Sequence, residues 1–501
     1  PNLAMAGEVY ELAEARRTKP REVCTTKTIK PKPTAKNKNP KARKKRTCKT
    51  VGSWGPLPPK TSAMLAREAR QAAAAQAQDR RRATMSTQGR ALAGQVWRLR
   101  NRGDYKGALA VLMQTGSRMA LGGAVWQEEL VRIADFYHGK RMWSETYRAA
   151  SAASRGEGAM RDEALWLAGF ASYRLNQKER AAEYWERLVR EEPVKGNHYG
   201  RAAWWAARVL TEMGEDRRAR SVLEAGAKAP LTFYGQLAAM RLGREALLDF
   251  RAPGVDTEGL NALLANPQAR AGLALAQLGE YEWAEAELRA ATPSLPLSAN
   301  RALAGIAVSY DLHSTALRAG RDLLDDGDVV GAALFPLPHW RPQGGWQYDK
   351  AMMLGLMRQE SAFQPTIGSR VGAQGLMQIM PATGRYIAGM TGRSYRGTTD
   401  LHTPSINLAM AQDYLKYLSG KLDGNRLFVA AAYNGGIGNV RRWVANGITP
   451  DNDPLLWIES IPFDETRDYV EKIMFNTWVY QQRLGQPRAS LKALAENRWP
   501  K

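Results

Sequence analysis

Five turn-like segments punctuate residues 61–330: RGDYKGA around Gly103, HGKRMWS around Gly139, LNQKERA around Asn176, MGEDRRA around Gly214 and LGEYEWA around Gly279. The successive spacings are 36, 37, 38 and 65 residues. Steps near 36–38 fit a helix–turn–helix repeat slightly longer than the tetratricopeptide unit, and the long step holds an irregular pair. One hairpin cannot bury its apolar face alone, so the units must stack. Between turns the large residues keep a helical beat, as in Trp166, Phe170 and Tyr173, or Trp204, Ala207 and Val209–Leu210. Small Ala faces let such helices approach closely, and we read the Trp-rich stripe as core. This part of the chain is expected to be an all-α, TPR-like helical-hairpin solenoid.

The 501 residues are too many for one compact domain and enough for two or three. No apolar run reaches the length of a transmembrane helix. The net charge of +23 is uneven: the first 100 residues hold 24 Lys or Arg against 6 Asp or Glu, which is +18 of the total. The basic balance therefore describes an arm, and a nucleic-acid reading based on net charge would be misplaced. Residues 1–60 lack apolar periodicity, and Lys27–Lys49 is a run of Lys, Pro, Thr and Asn. The expectation is a basic, disordered arm, with electrostatic contact to anionic envelope polymers as its functional variant. No secretory signal is visible. Cys24 and Cys48, the two cysteines, both lie in this arm. No His or further Cys stands at ligand spacing, so no metal site is expected, and a disulfide between them would staple only this segment.

The segment LFPLPHWRPQGGW, Leu334–Trp346, breaks the helical pattern with three prolines and two glycines. After it, Asp349 can cap a helix whose sequence runs DKAMMLGLMRQESAF to Phe363. Met353, Leu356 and Met357 stand seven, four and three residues before Glu360, so its carboxylate projects with the apolar stripe. Burial penalises the ionised form and should raise the pKa. A carboxylic acid protonated near neutral pH is what a general acid needs. The alternative is a helix-end Glu that reaches solvent or pairs with Arg358.

Four motifs follow in order: Glu360-Ser361, then GSRVGAQGLMQIMPATG (Gly368–Gly384), AAAYNGG (Ala430–Gly436) and ESIPFDETRDYV (Glu459–Val470). Gly375 permits close backbone approach to a ligand. Met377 and Met380 are core or cleft wall, and Gln378 offers both donor and acceptor. A helix from about Ser405 to Leu422 reads as ordinary core, with Leu408, Ala411, Leu415, Leu418 and Leu422 on one stripe. Gly435–Gly436 supply a left-handed stop that presents Tyr433 and Asn434 at a helix end. Glu465 is a second carboxylate, with an ion pair to Arg467 as its structural alternative, and Tyr469 is a lesser candidate for the same floor.

Over roughly residues 345–485 this constellation resembles the catalytic domain of soluble lytic murein transglycosylases, a lysozyme-like family. The segment Pro230–Gly243 also resembles the helical superstructure that precedes that domain. The resemblance implies a lysozyme-like, mainly helical catalytic domain behind the solenoid. The expected division is arm 1–60, helical repeats 61–333, linker 334–348, catalytic domain 349–485 and tail 486–501. The resemblance also implies roles. Glu360 is the catalytic acid, Ser361 donates to its carboxylate instead of merely ending the helix, and Tyr433 points at it. Asn434 binds substrate or holds the turn, the Gly375–Met380 loop lines the glycan cleft, and Glu465 supports the site without proton chemistry. Glu360 would protonate the oxygen between N-acetylmuramic acid and N-acetylglucosamine in peptidoglycan. As carboxylate it would then take the proton of the muramyl C6 hydroxyl, which closes a 1,6-anhydro ring. No cofactor is required, and the expected location is the periplasm or cell envelope. The competing readings are a hydrolytic muramidase on the same fold and a non-catalytic glycan-binding scaffold.

Overall fold

In a computed structural model, the structure describes residues 21–29, 43–51 and 85–501, except residues 157, 195, 197, 370 and 448–451. From residue 85 onward all regular elements are helical, as expected from the sequence. Within the basic arm, Arg21–Ile29 (β1) and Arg43–Val51 (β2) pair antiparallel, with Cys24 opposite Cys48 in the register. A wholly irregular arm is thus corrected for these two segments. Both contain β-branched residues, with Val23, Thr25, Thr26, Thr28 and Ile29 facing a partner that holds Thr47, Thr50 and Val51. The rest of residues 1–60 lies outside the described residues.

The described helices fall into two compact units, one within Arg251–Pro336 and one formed by residues 85–250 and 337–501. The first is a set of short helices around Leu263, Ala269, Leu288, Leu303 and Leu323. Compactness thus groups the early hairpins with the C-terminal residues; the division by module given above is a separate matter, which we retain as a proposal.

The hairpin turns share one geometry: a helix ends, one residue follows, and the next has positive φ. Gly103, Asn176, Gly214 and Gly279 occupy that place, at φ between +59 and +80°. At the second turn Gly139 is the last helical residue, and the left-handed position falls on Arg141. Asp311, at φ +55°, makes a sixth turn that carries no glycine signal. The Trp residues fill the hairpin interior as expected: Trp166, Trp185 and Trp205 are fully buried, with ring centroids 5.5 Å apart for Trp166–Trp185 and 6.0 Å for Trp185–Trp205.

The helices that position the site belong to the larger unit. Its hairpin part contributes α1 (Gly123–Gly139), α2 (Tyr199–Glu212) and α3 (Phe233–Arg241). The C-terminal part contributes α4 (Lys350–Glu360), α5 (Pro381–Thr391), α6 (Pro404–Lys421) and α7 (Arg426–Gly435). It ends with the short α8 (Pro454–Glu459) and the 20-residue α9 (Asp464–Arg483). Helix α4 is buried continuously from Ala351 to Met357. It lies against α9 so closely that a Cβ on Gly355 would stand 3.1 Å from the Asn476 Cβ. Asn476 donates to the Gly355 carbonyl at 3.3 Å and accepts from Arg358 at 3.0 Å.

Asp349 caps α4 as predicted, accepting from the backbone N–H of Ala351 at 2.9 Å and of Met352 at 3.3 Å, and it also pairs with Arg426. Asp349→Ala should lower stability by about 1–2 kcal/mol through the lost cap, read as a lower midpoint in chemical denaturation.

Candidate active site

Glu360 is the last residue of α4, where the apolar stripe ends and the chain turns. Its carboxylate is half-buried and accepts a hydrogen bond at Oε1 from the Tyr469 hydroxyl on the second turn of α9. Burial pushes the Glu360 pKa up to about 7; the Tyr469 bond works in the opposite direction, and the charge of Glu465 adds to the rise. The alternative partner, Arg358, donates to Asn476, and Arg467 pairs with Asp464, not with Glu465.

Two side chains take orientations other than the resemblance implied. The Ser361 hydroxyl donates to the Met357 carbonyl at 3.1 Å and accepts from the Phe363 N–H at 3.1 Å, so it closes the helix and does not face the carboxylate. A serine one turn beyond a helical carbonyl finds that acceptor locally, here beside its own backbone N–H. Tyr433 donates to the Met377 carbonyl at 2.8 Å, close enough to Glu360 to feel its charge but committed to the loop. Tyr469, ranked lower from sequence, is the residue whose hydroxyl reaches the Glu360 carboxylate. Both tyrosine hydroxyls have pKa values raised well above the ordinary range, first by burial and next by Glu360, and remain donors.

The loop from Gly368 to Met380 is a compact turn held by single bridges Gly368–Gln374 and Gln374–Ile379. Gly375 has φ +76°, and a Cβ there would lie 2.0 Å from the Leu401 carbonyl oxygen and 2.6 Å from Asn407 Nδ2. Its close approach is therefore to the protein's own backbone, in place of a ligand. Met377 is fully buried and belongs to the core, whereas Met380 is 39% exposed at the start of α5. Gln378, at φ +46°, spends its amide N–H groups on the carbonyls of Ile367 (3.1 Å) and Gly375 (2.9 Å). It can therefore offer a substrate an acceptor oxygen but no donor.

Asn407 was missed from the sequence and holds this loop. Buried on α6, it accepts from the Met377 N–H at 2.9 Å and donates to the carbonyls of Leu401 (2.8 Å) and Gln374 (3.2 Å). A signal was present: Asn407 stands four residues before Ala411 on the stripe that continues to Leu415 and Leu418. Asn434 lies at the end of α7, before Gly436, which has φ +82° and ψ 141°, an extended positive-φ conformation in place of the expected left-handed stop. It accepts from Thr466 at 2.7 Å and reaches the exposed Glu465 at 3.5 Å. The structure thus brings Glu360, Tyr469, Tyr433, Asn434 and Glu465 together around the α4–α9 contact, with the Gly375–Met380 loop tied in through Tyr433.

This geometry, a half-buried carboxyl at the end of a buried helix, accompanies a match to known proteins. Residues 341–454 match the family model of the transglycosylase SLT domain, and residues 460–488 match that of the soluble lytic transglycosylase helical domain. Over these segments the chain is similar to the soluble lytic murein transglycosylases. It is 31% identical over 317 residues to the soluble lytic murein transglycosylase of Salmonella typhimurium, covering 61% of this chain and 47% of that protein. It is 30% identical over 313 residues to the Escherichia coli protein of the same name, covering 60% and 46%. Among solved structures it resembles an inactive mutant of the lytic transglycosylase Slt from Pseudomonas aeruginosa, with a TM-score of 0.61 and 26% identity over 78% of this chain and 62% of that one. The chain thus spans about half the length of the curated relatives it matches.

Two outcomes check this geometry. Gly375→Ala should destabilise by more than Gly372→Ala: both glycines have positive φ, which costs about 1–2 kcal/mol with a Cβ, but only Gly375 faces backbone, while Gly372 has open space. Denaturation midpoints decide this. Replacing the groups that act on Glu360 should shift its titration in opposite directions. Tyr469→Phe removes a bond that favours the carboxylate, so the pKa moves further above about 7; Glu465→Gln removes a like charge, so it moves down. If activity requires the protonated acid, the loss of rate with rising pH moves to higher pH in the first variant and to lower pH in the second.

Proposed function

We propose that the chain cleaves the β-1,4 bond between N-acetylmuramic acid and N-acetylglucosamine of peptidoglycan without water, leaving 1,6-anhydro-muramyl ends. The observation that carries this reading is Glu360 itself: one half-buried carboxyl, raised to about 7, with a tyrosine fixing one of its oxygens. Near neutral pH a group poised there is populated in both forms, so it can give a proton to the leaving oxygen and then accept one from the C6 hydroxyl. Tyr469 holds the carboxyl in one orientation while leaving the other oxygen for the substrate. Glu465 is exposed in the first turn of α9. We assign it to substrate contact and to raising the pKa of its neighbour. In the same reading Met380 forms cleft wall, Gln378 accepts from a sugar N–H or O–H, and Asn434 steadies the Glu465 side of the cleft. Met377, Gly375, Ser361 and Tyr433 support the loop and the helix end.

The substrate places the protein at the cell envelope, and we propose the periplasm as its location. Among the described residues no helix is long and apolar enough to cross a membrane. In this reading the basic arm contacts anionic envelope polymers, and the repeat helices accompany glycan recognition.

Glu360→Gln should lower the rate of murein cleavage by about 100- to 10,000-fold, the usual contribution of a general acid. Mass spectrometry of wild-type digests should find anhydro-muramyl ends. Reducing muramyl ends alone would establish a hydrolase, and full activity of Glu360→Gln would overturn the assignment of the acid.

A further inference from the structure

A second constellation of charge lies away from the acid, where the hairpin helix α2 meets α8. Arg201 and Arg208 are seven residues apart on α2, two turns and about 10 Å along one face. Their partners bracket α8. Arg208 pairs with Asp453, which caps the first turn of α8 by accepting from the N–H of Leu455 (3.1 Å) and Leu456 (3.0 Å). Arg201 makes a two-pronged pair with Glu459, the last residue of α8, with Nε at 2.9 Å from Oε1. The six steps from Asp453 to Glu459 rise about 9 Å in a helix, so the spacing of the arginines matches that of the carboxylates.

The Glu459 end is fully buried and densely partnered. Its Oε1 also accepts from Trp205 Nε1 at 3.3 Å and from the Tyr234 hydroxyl on α3, and its backbone carbonyl accepts from His138 Nε2 on α1 at 3.3 Å. Arg467 and Glu471 of α9 also act on this group electrostatically. Arg201 lies 4.0 Å over the Trp166 ring and Arg208 5.0 Å over Trp205, so both guanidinium planes are held by aromatic faces. Four residues beyond Glu459 the chain enters α9, whose first two turns hold Glu465, Thr466 and Tyr469. These are the groups that face Glu360 and Asn434.

We infer that Arg201 and Arg208 are positioning residues: they clamp α8 at both ends and so fix the corner from Ser460 to Phe463 and the start of α9, which sets Tyr469 and Glu465 against Glu360. The inference rests on the proposed reaction for its kinetic consequence, and on the geometry alone for its effect on the Glu360 carboxyl. A clamp on the orientation of the acid acts on turnover, since small misplacements of reacting groups are costly, and leaves glycan affinity in place.

The test uses the full chain with Arg208→Gln, Arg208→Lys, the paired change Arg201→Met with Glu459→Leu, and Tyr234→Phe, each checked for wild-type circular dichroism. Two quantities are read: kcat and KM on soluble murein fragments, and the titration of Glu360 by carboxyl infrared difference spectra against Glu360→Gln. Arg208→Gln and the paired change should lower kcat by about ten- to hundredfold, with KM unchanged. They should also raise the Glu360 pKa as Tyr469 loosens, and Arg208→Lys should restore part of both. Tyr234→Phe, which removes one oxygen atom and serves if the paired change does not fold, should shift the titration in the same direction by less. Folded variants with wild-type kcat and an unmoved Glu360 titration overturn the clamp. If the wild type cleaves no murein, the proposed reaction fails, and the titration alone still decides for or against the clamp.

Discussion

The desolvation of one carboxyl group governs the candidate site. Ionising Glu360 where α4 meets α9 places a charge where burial, with the charge of Glu465 nearby, disfavours it. The carboxyl therefore keeps its proton to higher pH than a surface glutamate. Everything nearby either maintains that burial or adjusts it. The continuous apolar run from Ala351 to Met357 seats α4, and the close approach of Gly355 to Asn476 brings α9 alongside. Tyr469 and Glu465, one turn apart on α9, push the equilibrium in opposite directions. A general acid needs a proton at working pH and a form basic enough to take one back, and a pKa near neutrality serves both.

Keeping α9 in place falls to groups that are themselves expensive to bury. A buried ion pair is weak evidence for stability, because desolvation offsets much of its attraction, whereas removing one partner costs about 3–5 kcal/mol. The Arg201–Glu459 pair meets the condition under which such a pair is tolerated: the carboxylate oxygens have multiple donors, and the guanidinium stacks on Trp166. Burial alone would raise the Glu459 pKa, and Arg201 reverses the sign and holds it below the ordinary range. An apolar contact would tolerate sliding; this arrangement has one register, set by the match between two arginines on α2 and the two ends of α8.

Much of this was legible in the sequence, for identifiable reasons. The hairpins announced themselves through turn residues that favour positive φ, and Asp311 escaped because aspartate at such a turn carries no pattern distinct from a loop. Glu360 was found because its position on an apolar stripe follows from helical periodicity alone. The same argument applied to Asn407 would have found the loop anchor, but an amide on a stripe attracts less notice than a carboxylate. Hydroxyl directions were not legible. Ser361, Tyr433 and Tyr469 each had several acceptors within reach, and which one is chosen depends on tertiary placement of α7 and α9. The partnership between α2 and α8 was equally hidden, since it joins positions about 250 residues apart with no shared motif.

The most direct test of this account is the ionisation of Glu360 itself, followed in the wild-type full chain as the carboxyl infrared band that Glu360→Gln removes. The account predicts one ionisation near pH 7, in line with the raised value of about 7. An ionisation at the ordinary glutamate position, about 4.3, would contradict it, because the group would then be a carboxylate at neutral pH with no proton to give.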